Sequence, residues 1–385
     1  MTNTNYSINK KWHPLLKRIF STFDKLPVYL VGGAVRDFLM DKLPKDYDFV
    51  AQCAKDDLIR AGFEQIDPSS RIMIFVKRVK IPGLGEYQFE VALPRKEIKV
   101  DKGYHGFKLI FDPNMSIEED LKRRDLTVNA IALDRNGTII DPFGGRKDIK
   151  NKVLRHVSEH FLEDPLRIVR LYRFTAKGKE WHISDETIQF LKKHQDYLEQ
   201  ELSITPKERI FKEIEKALME PETHKFFEAI KQIKIGKIFK EIYDIDKIPN
   251  MKGDPLTKFA LLGYYFKNEE DLHNFLVRFK FPVKYRQASM CVKRYMNEYI
   301  RQTGSIEYRM RLIKSISLYL PVMKSVAKQL GYSLPNPLIE KFALIPASKI
   351  MDTSFIKVAG NPQEYVMQKR IEAYISAEKG LDINI

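Results

Sequence analysis

Two aspartates two residues apart, close to a pair of glycines and an arginine, are the residues of this chain best suited to chemistry. They lie in the stretch "YLVGGAVRDFLMDKLPKDYDFV" (29–50), where Asp46 and Asp48 are predicted to alternate along a strand and to face one side. Two like charges this close repel one another unless a cation lies between them. Hard divalent Mg²⁺ takes oxygen ligands, commonly one or two carboxylates with substrate phosphates. The pair is therefore a candidate metal site, and its plain alternative is a solvated strand end.

The glycines come before the aspartates, where a predicted strand turns into a predicted helix. A strand, a turn at Gly32 and Gly33, and a helix N-terminus together form a backbone cradle for phosphate. Arg36 lies one turn into that helix, and its forked guanidinium can reach the same phosphates. The combination of the glycine turn, Arg36 and the two aspartates is far more specific than either part. On its own, the glycine part could be a tight turn with a surface arginine.

The composition limits the classes of protein that the chain can form. It has 385 residues, no run of about 18 or more apolar residues and a polar N-terminus, which favours a cytoplasmic protein with no membrane span. Its two cysteines, Cys53 and Cys291, are far apart, so neither a disulfide framework nor a thiolate zinc site is expected. The net charge of +15 modestly favours a polyanionic partner over a merely lysine-rich surface.

The hydrophobic periodicity changes once along the chain. A short amphipathic helix is predicted over 11–24, followed by strands and helices of a mixed α/β unit. Beyond about residue 143, apolar residues recur at helical spacing. The predicted fold class is α+β, with a small mixed-sheet head followed by an elongated all-α neck, body and tail. The predicted divisions are an N-terminal helical extension (1–26), the head (27–142), the neck (143–225), and the body and tail (226–385).

Three stretches carry a family resemblance. The opening stretch resembles the signature of the nucleotidyltransferase superfamily related to DNA polymerase β, and more narrowly its class II branch of bacterial tRNA CCA-adding enzymes and poly(A) polymerases. "EEDLKRRDLTVNAIALD" (118–134) looks like the RRD motif of that branch, and "FLEDPLRIVRLYRF" (161–174) looks like its nucleotide-recognition motif. All three occur in the family's order and at similar spacing, and the likeness is densest over about 27–225. The chain resembles most the gammaproteobacterial type of CCA-adding enzyme. The resemblance implies a polymerase β-like head.

The resemblance implies roles for particular residues. Asp46 and Asp48 would bind Mg²⁺ while the 3′-hydroxyl of a tRNA attacks the α-phosphate of a nucleotide and pyrophosphate leaves. Glu90, in "QFEVAL", either supplies a further catalytic carboxylate or lies exposed on an edge strand, and the sequence leaves both open. The predicted nucleotide-binding residues are Gly32, Gly33, Arg36, Arg124, Asp164, Arg167, Arg170 and Arg173. Of these, Arg170 and Arg173 would point to ribose or phosphates.

The resemblance further implies that Asp164 and Arg167 read the edge of the base. Cytosine and adenine each present an amino donor beside a ring-nitrogen acceptor, which an aspartate and an arginine satisfy together. Guanine and uracil would leave buried groups unpaired, which is costly. The structural alternative is a helix ion pair between Glu163 and Arg167. Asp125 and Asn129 are expected to orient the RRD motif through hydrogen bonds to the backbone.

The activity implied is template-independent addition of CCA to the 3′ end of tRNA from CTP and ATP. The polar segment 95–107 resembles a flexible loop linked to the switch from C to A addition, so its presence favours addition of the terminal A. The alternatives are a poly(A) polymerase, an enzyme adding only CC or only A, or a non-catalytic tRNA-binding protein. Many relatives of this type carry a histidine-aspartate phosphohydrolase domain, but the stretch 255–268 has no His-Asp pair, so no such activity is expected.

Overall fold

The computed structural model describes residues 8–67, 73–81, 85–99, 107–301, 303–349, 351 and 361–379, without the side chains of 96–99 and 107–108. Contacts within the chain divide it into two compact units. The first comprises Met1–Glu213 and Gln232–Ile238, and the second comprises Ile214–Lys231 and Phe239–Ile385. The four-part division expected from the sequence stays a prediction.

The first unit contains the strands, which alternate with short helices. Its strands are β1 (Val28–Val31), β2 (Tyr47–Ala51), β3 (Glu64–Gln65), β4 (Ile74–Ile81), β5 (Gly85–Ala92), β6 (Arg95–Lys99), β7 (Phe107–Phe111), β8 (Ala132–Leu133), β9 (Ile139–Ile140), β10 (Val153–Leu154) and β11 (His182–Ile183). Its helices are α1 (His13–Ser21), α2 (Gly33–Leu39), α3 (Lys55–Arg60), α4 (Ile117–Lys122), α5 (Gly145–Asn151), α6 (Leu166–Thr175), α7 (Asp185–Lys193), α8 (Gln195–Ile204) and the first half of α9 (Lys207–Met219).

The second unit contains helices joined by loops and turns, with no strand among its described residues. Its helices, after the end of α9, are α10 (Thr223–Ile233, whose last two residues belong to the first unit), α11 (Lys240–Tyr243), α12 (Pro255–Tyr264), α13 (Glu269–Arg278), α14 (Val283–Arg301), α15 (Ile306–Ser315), α16 (Leu320–Gln329), α17 (Pro337–Leu344) and α18 (Pro362–Glu378). Within the described ranges, no helix combines the length and the apolar character that crossing a bilayer requires. The predicted fold class, a mixed-sheet head with a long helical remainder, is confirmed.

Among the described residues, seven strands form one mixed sheet in the order β3-β4-β5-β2-β1-β8-β9. Strand β2 lies in the interior, because it pairs antiparallel with β1 and parallel with β5. Strands β6 and β7 form a separate antiparallel pair. The segment 95–107 resembles a flexible loop of the family, but its described residues, Arg95–Lys99 and Phe107, lie in the paired strands β6 and β7; residues 100–106 lie outside the described residues.

The face of the sheet opposite the aspartates is lined by aromatic rings. Because side chains alternate along a strand, Phe49 points away from Asp48. Phe49 packs against Phe20 and Phe23, with ring centroids 6.1 Å and 4.5 Å apart. Phe20 belongs to α1, which confirms the predicted N-terminal helix with slightly narrower bounds than 11–24. Helix α1 therefore covers the face opposite the one that carries Asp48.

The face that carries Asp48 is partly covered by α4. Val31 of β1 and Val50 of β2 pack in one buried cluster with Ile117 and Leu121 of α4. Helix α4 begins with a capping box, in which Ser116 and Glu119 each satisfy the other's backbone N–H. The RRD motif follows directly, so this packing brings Arg124 beside Gly32, which follows the last residue of β1.

A side-chain hydrogen bond and a close approach of two backbone segments hold the stretch after the RRD motif. Thr127 begins a 3₁₀ turn, and its hydroxyl donates to Asp148 of α5 at 2.7 Å. Helix α5 begins at Gly145, where a Cβ would overlap the carbonyl oxygen of Thr127. The preceding Gly144 adopts the left-handed conformation with φ 73°, with open space around it. The two adjacent glycines are thus required for different reasons.

Alanine substitution of each glycine in turn distinguishes the steric requirement at Gly145 from the conformational requirement at Gly144. We expect Gly145→Ala to destabilise the first unit by about 3 kcal/mol, because a backbone carbonyl cannot move aside without displacing the turn. Gly144→Ala should cost only about 1 kcal/mol of left-handed strain. The two tryptophans, Trp12 and Trp181, both lie in the first unit, so their fluorescence during urea unfolding measures it. Equal shifts of the midpoint for the two variants would contradict the steric argument.

Candidate active site

Three carboxylates are neighbours at the mixed sheet of the first unit, two on paired strands and one just before a strand. Asp48 lies within β2, and Asp46 immediately precedes that strand rather than lying in it. Glu90 of β5 is paired directly opposite Asp48. Residues paired across neighbouring strands point to the same face about 5 Å apart. Strand β5 lies between β4 and β2, so Glu90 is not on an edge strand, and the structure brings it beside the two aspartates. We call these three residues the acidic trio.

Desolvation and neighbouring charges both shift the pKa of Asp48. Desolvation by surrounding protein raises the pKa of this carboxyl although the residue reaches solvent, and Glu90 and Asp46 raise it further. Arg124 and Arg170 lower the same pKa. A bound cation would relieve the mutual repulsion, and carboxylate oxygens suit a hard divalent ion. Within the described ranges, no three His, Cys, Asp or Glu side chains are placed so that they could hold a metal ion together, so the trio is not a preformed three-ligand site.

The glycine turn contacts the RRD motif. Gly32 has φ 69°, a conformation that glycine adopts without strain, and its N–H donates to the carbonyl of Ile131 at 3.3 Å. A Cβ at Gly32 would lie 3.0 Å from Nη1 of Arg124. Gly33 then begins α2. The structure therefore brings Gly32, Gly33 and Arg124 together beside the strand that carries Asp48.

Arg36 is buried and is engaged by other protein groups. Its Nη1 donates to Oδ1 of Asn129 at 2.6 Å, and its Nε and Nη2 donate to Oδ1 of Asp37 at 3.0 Å and 2.8 Å. Only about 7% of the residue is exposed. Arg36 thus joins α2 to the RRD segment, and its contact with a triphosphate stays a prediction.

The carboxylate of Asp125 is the centre of this arrangement. Its Oδ1 accepts from the N–H of Leu126 at 2.8 Å and from Nδ2 of Asn129 at 3.0 Å. Its Oδ2 accepts from Nε and Nη2 of Arg170 at 2.9 Å and 2.7 Å. Burial alone would raise the pKa of Asp125, but Arg170 and Asn129 together hold it far below its usual value. We call Arg36, Asn129, Asp125 and Arg170 the Asp125 network; it joins three sequence motifs.

The two arginines of the RRD motif share a second buried carboxylate. Asp120 is fully buried and accepts from Nε of Arg123 at 2.9 Å and from Nη2 of Arg124 at 3.3 Å. Burial alone would raise the pKa of Asp120, but these two guanidinium groups hold it below its usual value. Arg124 is therefore oriented toward the glycine turn by a fixed anion, whereas its contact with a nucleotide stays a prediction.

Two residues of α9 that the sequence interpretation missed hold the recognition stretch. Arg209 donates through Nη2 to Oδ2 of Asp164 at 3.0 Å, and Glu213 accepts from Nε of Arg173 at 2.6 Å. Arg173 is buried, so its guanidinium is paired inside the protein, and its predicted contact with ribose or phosphate stays untested. The sequence signal for these two residues is their i, i+4 spacing, which usually indicates a solvent-exposed ion pair between two side chains of one helix.

The predicted base-reading pair lies at the start of α6. Oδ1 of Asp164 accepts from the N–H of Leu166 at 3.0 Å, which caps the helix. Arg167 is buried and donates through Nη1 to the carbonyl of His160. In the part of the chain that the structure describes, Glu163 pairs with His160 at 2.5 Å and not with Arg167. The helix ion pair considered as the alternative is therefore not the one formed.

Removing the charge at the centre of the Asp125 network should weaken the first unit in a pH-dependent way. We expect Asp125→Asn to cost about 2 kcal/mol near pH 7, because Arg170 loses its partner but remains partly solvated. Since the folded pKa of Asp125 is lowered, its contribution is complete above about pH 4 and declines as the pH falls further.

The measurement is the midpoint of urea unfolding followed by tryptophan fluorescence. The difference between wild type and Asp125→Asn should shrink by roughly 1 kcal/mol between about pH 7 and about pH 3. Asp56→Asn, at an exposed residue of α3, is the matched control and should show little difference at either pH. A difference that stays constant with pH would contradict a lowered pKa for Asp125.

Comparisons with known proteins agree with this arrangement. Residues 28–155 match the family model described as Poly A polymerase head domain, and residues 181–245 match the model described as Probable RNA and SrmB- binding site of polymerase A. The chain is 36% identical over 284 residues to a Coxiella burnetii protein named CCA-adding enzyme, covering 71% of this chain and 72% of that protein.

Two further comparisons concern a longer relative and the fold. Identity is 41% over 229 residues to the Multifunctional CCA protein of Pseudoalteromonas atlantica, covering 58% of this chain but only about half (54%) of that protein. The fold is similar to that of the Bacillus stearothermophilus CCA-adding enzyme in complex with CTP, with a TM-score of 0.64, 22% identity, and coverage of 97% and 94% of the two chains. At this identity the structural likeness establishes the fold alone.

The head-domain match and the identity across more than two thirds of the Coxiella protein show that the chain belongs to the family of CCA-adding enzymes and poly(A) polymerases.

Proposed function

We propose that this chain is a CCA tRNA nucleotidyltransferase, which adds CCA to the 3′ end of tRNA from CTP and ATP without a template. The observation that carries the proposal is the acidic trio, set beside the Gly32 turn and close enough to Arg124 and Arg170 for their charges to act on Asp48. The names of the relatives, CCA-adding enzyme and Multifunctional CCA protein, support the product. We place the activity in the cytoplasm, where its substrates are made.

Enzymes of this family generally use a divalent metal, and we propose Mg²⁺ for this chain. Asp46 and Asp48 would hold it, with Glu90 as a further ligand or proton acceptor. The ion would supply Lewis-acid polarisation of the phosphate and activation of the attacking hydroxyl. Its fit rests on the donor set, since all three side chains offer hard oxygen atoms and their mutual repulsion favours a cation.

The chain's own residues orient the reaction. The Gly32 turn lets the triphosphate approach the backbone closely, and Arg124 lies beside that turn as a positive charge. The 3′-oxygen of the tRNA then forms a bond to the α-phosphorus in line, as the bond from that phosphorus to the pyrophosphate oxygen breaks. The hydroxyl proton passes to the acidic trio, and pyrophosphate leaves with its charge balanced by Arg124 and Arg170.

Asp164 and Arg167 are the proposed readers of the base. Arg209 and the capped N–H of Leu166 hold the carboxylate of Asp164, and each carboxylate oxygen keeps a lone pair for an amino group. Arg167 offers further donors to a ring nitrogen. Cytosine and adenine match this pair, whereas uracil and guanine would leave buried groups unpaired. One protein site could thus accept both nucleotides of CCA.

Neutralising either aspartate should abolish catalysis but leave tRNA binding. We expect Asp48→Asn and Asp46→Asn to lower kcat by roughly three orders of magnitude, because stabilisation of transition-state charge is worth several kcal/mol. The measurement is incorporation of labelled CTP into tRNA that lacks CCA, with filter binding of the same tRNA. Asp56→Asn on exposed α3 is the control and should keep full activity. Activity retained in Asp48→Asn would exclude the proposed metal site.

A primer series separates the proposed activity from its alternatives. Transcripts ending before CCA, after CC and after CCA are each incubated with CTP alone, ATP alone or both. A CCA-adding enzyme extends the first by two nucleotides with CTP alone and by three with both, and leaves the last unchanged. A poly(A) ladder, addition of CC only, or addition of A only would each identify the corresponding alternative, and no extension would indicate a binding protein.

Deleting the segment 96–103, which contains the end of β6 and residues outside the described ranges, tests the step from C to A. By its resemblance to a family loop, we expect the deletion to leave addition of CC and to abolish addition of A. The readout is the primer series with both nucleotides. Retained addition of A would defeat this assignment, and loss of all addition with an unchanged unfolding midpoint would assign the segment to catalysis in general.

A further inference from the structure

Arg167 is held by the turn that precedes its own helix. A 3₁₀ turn spans Glu159–Glu163, directly before α6. The buried guanidinium of Arg167 donates through Nη1 to the main-chain carbonyl of His160 in that turn. The direction in which the remaining donors of Arg167 point therefore depends on where the turn holds this carbonyl.

Side-chain hydrogen bonds hold the part of the turn that contains His160. Nδ1 of His160 lies 2.5 Å from Oε1 of Glu163, which closes the turn on itself. The N–H of His160 donates to Oγ of Ser158 at 3.2 Å, and that hydroxyl donates to the carbonyl of Lys122 at 2.8 Å. The turn is thus tied to the end of α4 on one side and to the start of the recognition stretch on the other.

The turn has little packing on its open side. An open hollow of about 410 Å³ lies there, lined by Lys122, Ser158, Glu159, His160 and Glu163. Lys122 and Glu159 are exposed, and Oε2 of Glu163 is buried without a partner among the described residues. All five residues that line the hollow are polar, and the pair between His160 and Glu163 holds the turn on this side. On its other side, the turn is anchored by Phe161, which is fully buried and packs against His156 and Phe190. The His160 side chain therefore affects the open side of the turn, where its own carbonyl meets Arg167, while the buried side stays in place.

We propose that His160 is a positioning residue that determines nucleotide specificity through Arg167. Its imidazole holds Glu163, the closed turn fixes its carbonyl, and the carbonyl fixes the guanidinium that meets the base. The inference rests on the proposed function, since it assigns to His160 the control of the base-reading pair. It predicts that the His160 side chain affects use of nucleotides and not the binding of tRNA.

The experiment compares His160→Ala with the conservative His160→Asn, whose amide can replace Nδ1. The control is His182→Ala, an exposed histidine of the same unit that bonds to the carbonyl of Glu180. At saturating tRNA, KM and kcat are measured for CTP and ATP, together with incorporation of UTP and GTP. Binding of tRNA and urea unfolding by tryptophan fluorescence are measured on the same proteins.

We expect His160→Ala to raise KM for CTP and ATP about tenfold, as loss of one hydrogen bond would, and to increase use of UTP and GTP. The affinity for tRNA and the unfolding midpoint should match those of His182→Ala, and His160→Asn should recover part of the specificity. A KM unchanged from the control would overturn the inference, as would a loss explained by an earlier unfolding midpoint. Wild type that extends no primer would instead overturn the proposed function on which this inference rests.

Discussion

The buried carboxylate of Asp125 is the interaction on which the rest of the site depends. A buried charge is tolerated only when opposite charge and hydrogen bonds compensate it, and Asp125 obtains both from Arg170, Asn129 and a backbone N–H. Asn129 passes the connection to Arg36 at the glycine turn. The phosphate cradle, the RRD motif and the recognition helix are therefore held together by one set of polar contacts, and none of the three can shift without leaving a buried group unpaired.

The recognition helix α6 is anchored in the same manner at its other contacts. Asp164 and Arg173 lie near its two ends, and each is paired with a residue of α9, Arg209 or Glu213. Breaking a buried pair is more costly than never having formed it, so such pairs define a position more than they add stability. The proposed reading of a base by Asp164 and Arg167 would depend on this kind of restraint, because it fixes the carboxylate relative to the guanidinium.

The acidic trio is a small negative region in a strongly positive chain. The net charge is +15, yet Asp48 and Glu90 lie opposite one another on neighbouring strands, and Asp46 is close enough to raise the pKa of Asp48. Desolvation is the largest cause of the raised pKa of Asp48, Glu90 and Asp46 raise it further, and Arg124 and Arg170 lower it. In the proposed reaction, a cation held by the trio and the triphosphate of a nucleotide would complement each other there.

The sequence by itself determined the motifs and the change from a mixed α/β pattern to a helical one. The reason is that the spacing of Asp46 and Asp48 and the helical periodicity are properties of neighbouring residues. It also indicated the family, since three motifs occurred in order. Only the tertiary structure decided that Glu90 lies opposite Asp48 and that Arg209 reaches Asp164. Strand order and helix packing bring these residues together across long separations, and local periodicity carries no information about which distant charges will meet.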